Sequence, residues 1–362
     1  MKKPVFVCGG GHQGLAMAGY LALNGETVHL WNRTQENIQA VLDTGVVSCD
    51  GVIEGVGRVA RASTDLSELV SDLILVTTPS TAHQDIARRL APFMTKDKLV
   101  VLNPGRTFGA VEFLETLKHC GVTELPTVAE TQTIVFTCRR SASNNATIFA
   151  LKNGVRIAAA AGADVLRVVE RLPACLRPYF SPVSSLALTS LTNVGMVLHC
   201  APVLMNIGWI ETDTVDFKYY YDGISPSVAR FLEKIDAERV AAARALGYEI
   251  ESLVDWLRRS YGVTGNTILD CIRENRAYRE IDAPPTIQTR YLLEDVPNGL
   301  VPIEFLASRL GVPTPNITTI VNLANAVLER DFRVSGRRFP PDILKQYMEL
   351  PALAETKGDV HA

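Results

Sequence analysis

A doubly wound parallel α/β sheet with appended strands, followed by an all-α C-terminal region, is the fold class that this sequence predicts. Three observations carry that expectation. Short apolar runs alternate with helical patterns through the first half, a glycine-rich turn follows the first run, and strand signals vanish after about residue 161. The 362 residues exceed one typical domain. The expected division is 1–182 for the sheet-bearing domain and 183–362 for the helical one. No repeat or low-complexity linker separates them, so an extensive interface is expected, with the cleft between them as the default site.

In order, Lys3 to Cys8 reads as a strand and His12 to Asn24 as a helix, with Leu15, Ala18, Tyr20 and Leu21 in helical register and Gly25 ending it. Thr27 to Trp31 is the next strand, and a helix near Gln35 to Leu42 follows. Short strands are expected from Val46 to Ala60, then a β-branched run at Leu73 to Thr78, a helix at Ala82 to Met94 and a strand at Leu99 to Leu102. Alternation at these lengths means right-handed βαβ crossovers, hence a parallel sheet covered on both faces. Between Thr127 and Ala160 the pattern is β-rich, which predicts further strands appended to that sheet. Helical periodicity then marks Leu166 to Leu172, Leu186 to Ile210, Ser227 to Leu246, Ile250 to Tyr261, Ile303 to Leu310 and Asn316 to Arg330. The polar tail beyond Pro340 is expected to fray.

Composition removes several function classes. With 36 basic against 39 acidic residues, the net charge of −3 provides no general field for nucleic acid or an anionic membrane. The arginine pairs beginning at Arg88, Arg139, Arg258 and Arg337 are scattered, as on solvated helix faces. Seven cysteines without C-x-x-C spacing form neither a disulfide framework nor a zinc ribbon, so reduced thiols, a cytoplasmic setting and no metal are expected. The N-terminus lacks the pattern of a signal peptide. The uncharged stretch between Arg177 and Glu211 is long enough to span a bilayer, yet Ser190, Thr192, Asn193, His199, Pro202 and Asn206 interrupt it, favouring a helix buried inside the fold. Small molecules are the expected partners, with at most a second copy of the chain as a protein partner.

Gly9-Gly10-Gly11-His12-Gln13-Gly14 matches G-x-G-x-x-G between a strand and a helix, which is the Rossmann-type dinucleotide fingerprint. Gly9 permits the tight turn, Gly11 lets backbone approach a pyrophosphate, and Gly14 lets the helix pack closely on the strand. The helix N-terminus offers unpaired N–H groups to the phosphates. At the end of the second strand an NAD site carries Asp or Glu, whereas this chain has Asn32, Arg33 and Thr34. Neutral Asn32 removes repulsion toward a 2′-phosphate, Arg33 supplies a guanidinium for it, and Thr34 a hydroxyl. NADP(H) is therefore the expected cofactor; an Asn that binds NAD(H) through its amide beside a solvated Arg is the alternative. Two further loops, Thr77-Thr78-Pro79-Ser80 and Asn103-Pro104-Gly105-Arg106, follow strands on the same edge, placing Thr78, Pro79, Asn103 and Gly105 beside the cofactor. Turns without that role would read similarly.

Reduction by a nicotinamide needs a proton donor, and the uncharged helix carries His199 on one face with Thr192 and Met196, just before Pro202. A satisfied core histidine is the plain alternative. Four blocks resemble the opine dehydrogenases: Ser190-Leu191-Thr192-Asn193-Val194 leading to His199, Asp222-Gly223-Ile224-Ser225-Pro226-Ser227-Val228 leading to Asp236-Ala237-Glu238-Arg239, Thr289-Arg290-Tyr291 with Glu294-Asp295-Val296, and Ala129-Glu130-Thr131 with Phe136-Thr137-Cys138-Arg139. The resemblance runs from about Val5 to Arg338.

That resemblance implies an NAD(P)H-dependent condensation of an amino acid's amino group with a 2-oxo acid, often pyruvate, followed by reduction of the imine. It implies His199 as general acid/base and Asp295 as the carboxylate that fixes its tautomer and raises its pKa. Arg290 is implied for the oxo acid's carboxylate, Glu130 for the cationic end of the amino donor, and Thr192 and Asn193 for further substrate contacts. An ion pair between Asp295 and Arg290 is the structural alternative. Many relatives place proline directly after this histidine, whereas here it is His199-Cys200-Ala201-Pro202, so the pocket wall is expected to differ. The architecture also resembles ketopantoate reductase, glycerol-3-phosphate dehydrogenase and the β-hydroxyacid dehydrogenases, where a helical-domain lysine typically does the acid/base work; here that helix carries His199, and no lysine stands between Lys152 and Lys218. A non-catalytic NADPH-binding regulator is the remaining class.

Overall fold

The computed structural model describes residues 3–160, 162–212 and 214–348. The tail from 349 onward, expected to fray, lies outside the described residues.

Strand β1 (Val5–Cys8), helix α1 (His12–Leu23) and strand β2 (Val28–Trp31) form the first βαβ unit, with Gly25 at φ +75° just past the helix end. Helix α2 (Gln39–Thr44) and strands β3 (Val46–Gly51), β4 (Gly55–Arg58) and β5 (Arg61–Ser63) follow. Next come β6 (Leu73–Val76), α3 (His83–Leu90), β7 (Leu99–Leu102), α4 (Gly109–His119) and β8 (Thr127–Thr131). The strands β9 (Phe136–Ala142), β10 (Asn145–Leu151) and β11 (Val155–Ala159), helix α5 (Val165–Arg171) and strand β12 (Phe180–Pro182) complete this part.

The main sheet has eight strands in the order β12-β11-β8-β7-β6-β1-β2-β5. From β5 to β8 all neighbours are parallel; β11 adds antiparallel to β8, and β12 parallel to β11. The strands β6 and β7 are continuous apolar runs because both faces of the sheet are covered. Chain order reverses at β1, between β2 and β6, so the crevice at the carboxyl ends of β1 and β6 is the topological switch point.

The β-rich segment does not all extend that sheet. While β8, β11 and β12 do, β9 and β10 pair with β3 and β4 into a separate four-stranded sheet. That sheet lies over α1, which explains why Gln13 to Leu21 is buried along its whole length. Strand β12 lies after residue 161, where no strand was expected, and α4 is a helix that the periodicity reading passed over.

The remaining helices are α6 (Ala187–Ser190), α7 (Gly195–Met205), α8 (Ile207–Ile210), α9 (Pro226–Ala245), α10 (Leu253–Tyr261), α11 (Ile268–Glu274), α12 (Arg290–Leu293), α13 (Val301–Arg309), α14 (Pro315–Val327), α15 (Phe332–Ser335) and α16 (Pro341–Met348). The long apolar helix expected at Leu186 to Ile210 is thus three pieces. Ala187–Met205 is long and apolar enough to cross a membrane, but 78% of its most apolar window is buried inside this fold. Its surroundings are apolar protein: one face of the main sheet, through Phe6, Ile74 and Val100, shares a single core with Leu198, Leu232 and Val321 of the helices. Apolar burial across that junction seats the helices on the sheet's edge loops.

Candidate active site

At the glycine turn, Gly9 has φ +123°, a conformation open to glycine, and a Cβ on Gly14 would lie 1.6 Å from the Gly9 carbonyl oxygen. Any side chain at Gly14 would therefore push α1 off the turn, whereas a Cβ on Gly11 would meet nothing within 4 Å, leaving an open approach to backbone. Two buried polar atoms at this crevice, Gln13 Nε2 and Thr78 Oγ1, have no hydrogen-bond partner among the described residues. An open cradle at a helix N-terminus with orphaned donors fits a dinucleotide.

Asn32 closes the turn from the side. Its Oδ1 accepts from Gly10 N–H at 2.9 Å and its Nδ2 donates to the Thr34 carbonyl at 2.8 Å, so the amide is consumed as a brace. Aspartate could not make the second bond, which supplies a structural reason for a neutral residue here. Arg33 is exposed, loosely paired with Asp85 at 3.8 Å, and Thr34 is exposed beside it. His12 faces β9, where its Nδ1 accepts from Arg140 N–H at 2.9 Å. Of the flanking loops, Pro79 is exposed, whereas Asn103 is buried with its Nδ2 donating to the Val101 carbonyl. Gly105 packs on Glu130, where a Cβ would come within 2.3 Å of the carboxylate.

Across the crevice, α7 and the segment after α12 bring His199 and Asp295 together. His199 Nδ1 lies 2.7 Å from Asp295 Oδ2, and the imidazole stacks on Tyr291 with ring centroids 4.0 Å apart. Nε2 makes no hydrogen bond among the described residues. Because a carboxylate accepts only, the proton resides on Nδ1 and Nε2 presents its lone pair. The neighbouring charges reverse one expectation. Asp295 does raise the His199 pKa, but burial outweighs it, and Arg106 and Arg290 also push downward, so the net shift is below 6.5. The environment thus favours the neutral form of His199.

Arg106 belongs to this constellation, although in the sequence it was only the last residue of a turn. Its side chain is 10% exposed, with Nη1 3.4 Å from Asp295 Oδ1 and Nε 3.5 Å from Glu294 Oε1. Burial would lower its pKa; Asp295 and Glu294 override this and hold it raised. Glu294 Oε1 also accepts from Ser80 N–H at 2.9 Å and Ser80 Oγ at 3.0 Å, joining the two sides of the crevice. Against burial, Arg106, Arg290 and the Ser80 bonds depress the Glu294 pKa strongly. Arg290 is 58% exposed and lies 3.6 Å from Glu294, so Asp295 pairs with His199 and Arg106 instead of Arg290. Gly195 makes room for this arrangement, since a Cβ there would sit 2.7 Å from Arg106 Nη1.

Three expected substrate contacts are placed elsewhere. Glu130 is fully buried: it accepts from Ala110 N–H at the start of α4 and from the Thr189 and Ser190 hydroxyls, so it caps a helix and faces no cleft. Burial raises its pKa. Thr192 Oγ1 is spent on the Leu188 and Thr189 carbonyls. Asn193 braces the loop after β7 through Thr107 Oγ1 at 3.3 Å and Arg106 at 3.4 Å, a positioning contact. Nor is Arg337 solvated. It pairs with Glu112 at 2.8 Å and donates to the carbonyls of Gly105, Thr107 and Ser80, clamping both loops from the C-terminal side.

A family profile described as "NAD/NADP octopine/nopaline dehydrogenase, alpha-helical domain" matches residues 182–328, and one for ketopantoate reductase PanE/ApbA matches 5–107. An opine dehydrogenase of Arthrobacter sp. (strain 1C) is 36% identical, covering 92% of this chain and 93% of its own. A structure of octopine dehydrogenase in complex with NADH and agmatine superposes with TM-score 0.78 at 17% identity, covering 95% and 96% of the two chains. NADP+-bound yersinopine dehydrogenase gives 0.77 at 14%, covering 95% and 98%. At those identities the two structures speak for the fold: a nucleotide-binding sheet followed by a helical region. With the full-length relative, the matching helical profile and a nicotinamide cradle of the fitting shape, the chain belongs to the opine dehydrogenase family.

Proposed function

We propose that this chain condenses the amino group of an amino acid with a 2-oxo acid, pyruvate by preference, and reduces the imine at the expense of NADPH, giving an N-(carboxyalkyl) amino acid. The observation that carries the reading is the His199–Asp295 pair, 2.7 Å apart, with Arg290 held 3.6 Å from the neighbouring Glu294. Residues 1–182 hold the cofactor in this reading and 183–362 supply the substrate groups, in a cytoplasmic setting.

The bound nicotinamide supplies the hydride. Everything else falls to the protein. His199 Nε2, neutral and unpaired, takes a proton from the donor's ammonium and frees the amine to attack the oxo carbon. The same imidazolium then returns that proton to the carbinolamine hydroxyl, which leaves as water. Asp295 keeps the proton on Nδ1 throughout and stabilises the transient imidazolium. Arg290 presents two N–H donors to the oxo acid's carboxylate. Arg33 and Thr34 take the 2′-phosphate that distinguishes NADPH.

The test is NADPH oxidation with pyruvate, with and without a mixture of amino acids, repeated with NADH. Oxidation that requires the amine supports the reading. Turnover with the oxo acid alone would instead make the chain a hydroxyacid-forming reductase.

A further inference from the structure

The backbone of Arg106 is left-handed, with φ +59° in a residue that is not glycine, and such conformations persist where the surroundings over-determine them. Here they do. The Gly105 N–H donates to the Thr131 carbonyl at 3.1 Å and the Thr107 N–H to the Asn298 carbonyl at 3.2 Å, while Arg337 Nη1 holds the carbonyls of Gly105 and Thr107. The side chain is thereby aimed inward, between two carboxylates adjacent in sequence. Its Nε lies 3.5 Å from Glu294 Oε1 and its Nη1 3.4 Å from Asp295 Oδ1. Arg106 Nε and Asp295 Oδ1 are buried and make no hydrogen bond among the described residues, so these contacts are Coulombic, in surroundings of low dielectric. Gly195 completes the seat. A Cβ there would lie 2.7 Å from Arg106 Nη1 and 3.4 Å from His199 Cε1, so guanidinium and imidazole edge border the same small space.

Building on the function proposed above, we propose that Arg106 is the positioning residue of the dyad: its guanidinium holds the Asp295 carboxylate turned to receive His199 Nδ1–H and keeps Glu294 from competing for that place. Asp295 has one oxygen on the imidazole at 2.7 Å and the other on Arg106, so rotation of the carboxylate breaks one contact or the other. Glu294, the preceding residue, is drawn aside by Arg106, Ser80 and Arg290. A second effect is electrostatic. The imidazole is faced by Tyr291 of α12, by Asp295 after it, by Arg290 at its start and by Arg106 from the loop after β7. Cys200 follows on α7 with its thiol on the Tyr291 carbonyl at 3.4 Å, and the Tyr219 hydroxyl donates to the His199 carbonyl at 2.7 Å. Burial first, then Arg106 and Arg290, lower the imidazole pKa, and Asp295 raises it. Arg106 thus helps keep the ring unprotonated for the incoming ammonium.

Histidine titration followed by nitrogen NMR on the NADP+-bound protein, with the His199 signal identified by its loss in His199→Gln, reads the coupling directly. Arg106→Met should move the His199 titration up by roughly one pH unit, because a nearby cation is lost. It should also lower kcat/KM about 10- to 100-fold by misorienting the base, with NADPH affinity within about threefold of wild type. Arg106→Lys keeps the charge but cannot span both carboxylates, so the titration should stay near wild type while kcat/KM remains about tenfold low. Gly195→Ala leaves every charge in place and pushes Nη1 aside, so it should lower kcat/KM in the same direction, and it decides the matter if Arg106→Met does not fold. A His199 titration unmoved in Arg106→Met, or moved as far in Arg106→Lys, overturns the proposal. Full activity in Gly195→Ala does so too. A loss confined to KM for the oxo acid also overturns it, by making Arg106 a substrate contact. Absence of amine-dependent turnover in wild type would instead remove the functional reading, and the NMR titration would still report on Arg106.

Discussion

Asp295→Asn probes the dyad with almost no change in volume. In wild type, Asp295 Oδ2 accepts from His199 Nδ1–H at 2.7 Å and Oδ1 faces Arg106 at 3.4 Å. The asparagine amide can donate to Nδ1, which moves the ring proton to Nε2 and removes the base. Loss of a charge-assisted hydrogen bond is worth about 1.5–3 kcal/mol, and loss of general acid–base function about 100- to 10,000-fold in rate. A fall in kcat/KM of roughly 100- to 10,000-fold is expected, with NADPH affinity near wild type by fluorescence titration. The pH profile supplies the second readout. Burial holds the wild-type His199 pKa below 6.5, so the neutral base persists as pH falls past 6.5 and activity is lost only below it. Removing the one group that raises that pKa should move the residual acid limb to still lower pH. Less than about threefold loss of kcat/KM with an unmoved limb would refute the dyad.

Arg337→Met should destabilise the fold by about 3–5 kcal/mol, because it strands buried Glu112 and frees the loops at Ser80 and Thr107; urea unfolding, with Arg338→Met as a silent control, measures it, and equal effects would contradict the clamp. His83 is buried, its Nδ1 3.1 Å from Arg337, with a pKa pushed down to about 3 by burial first and by Arg337. Its folded pKa lies below its unfolded value of 6.5, so it costs stability as pH falls from 6.5 toward 3. His83→Gln keeps the acceptor and should lose roughly 3 kcal/mol less than wild type between pH 7 and about 4.5, with identical losses counting against the assignment. Arg33→Ala should raise the apparent KM for NADPH about 10- to 100-fold while leaving that for NADH within about threefold. Equal effects would return Arg33 to an ordinary surface residue.

The glycine turn was legible because its constraint is local: Gly9 and Gly14 touch each other across five residues, and backbone geometry alone demands them. His199 stood out as the ionisable side chain in a long uncharged stretch. Its pairing with Asp295, 96 positions away, came from motif resemblance and had no local signature.

Where expectations moved, long-range packing moved them. Whether β9 and β10 extend one sheet or build another depends on the partner offered by β3, which alternation within a strand does not specify. Glu130, Thr192 and Asn193 have side chains suited to substrates, yet each was claimed by a neighbouring backbone or loop that folding brought alongside. Arg106 read only as the last residue of a turn and Arg337 as part of a solvated helix face; carboxylates and carbonyls from elements up to 232 residues distant hold both inside. The sequence by itself determined the nucleotide turn and the parallel sheet, since these rest on short-range periodicity and on residue chemistry. Only the tertiary structure decided which charges surround His199, and hence the direction of its pKa, because burial and Coulomb interactions act through space and ignore separation along the chain.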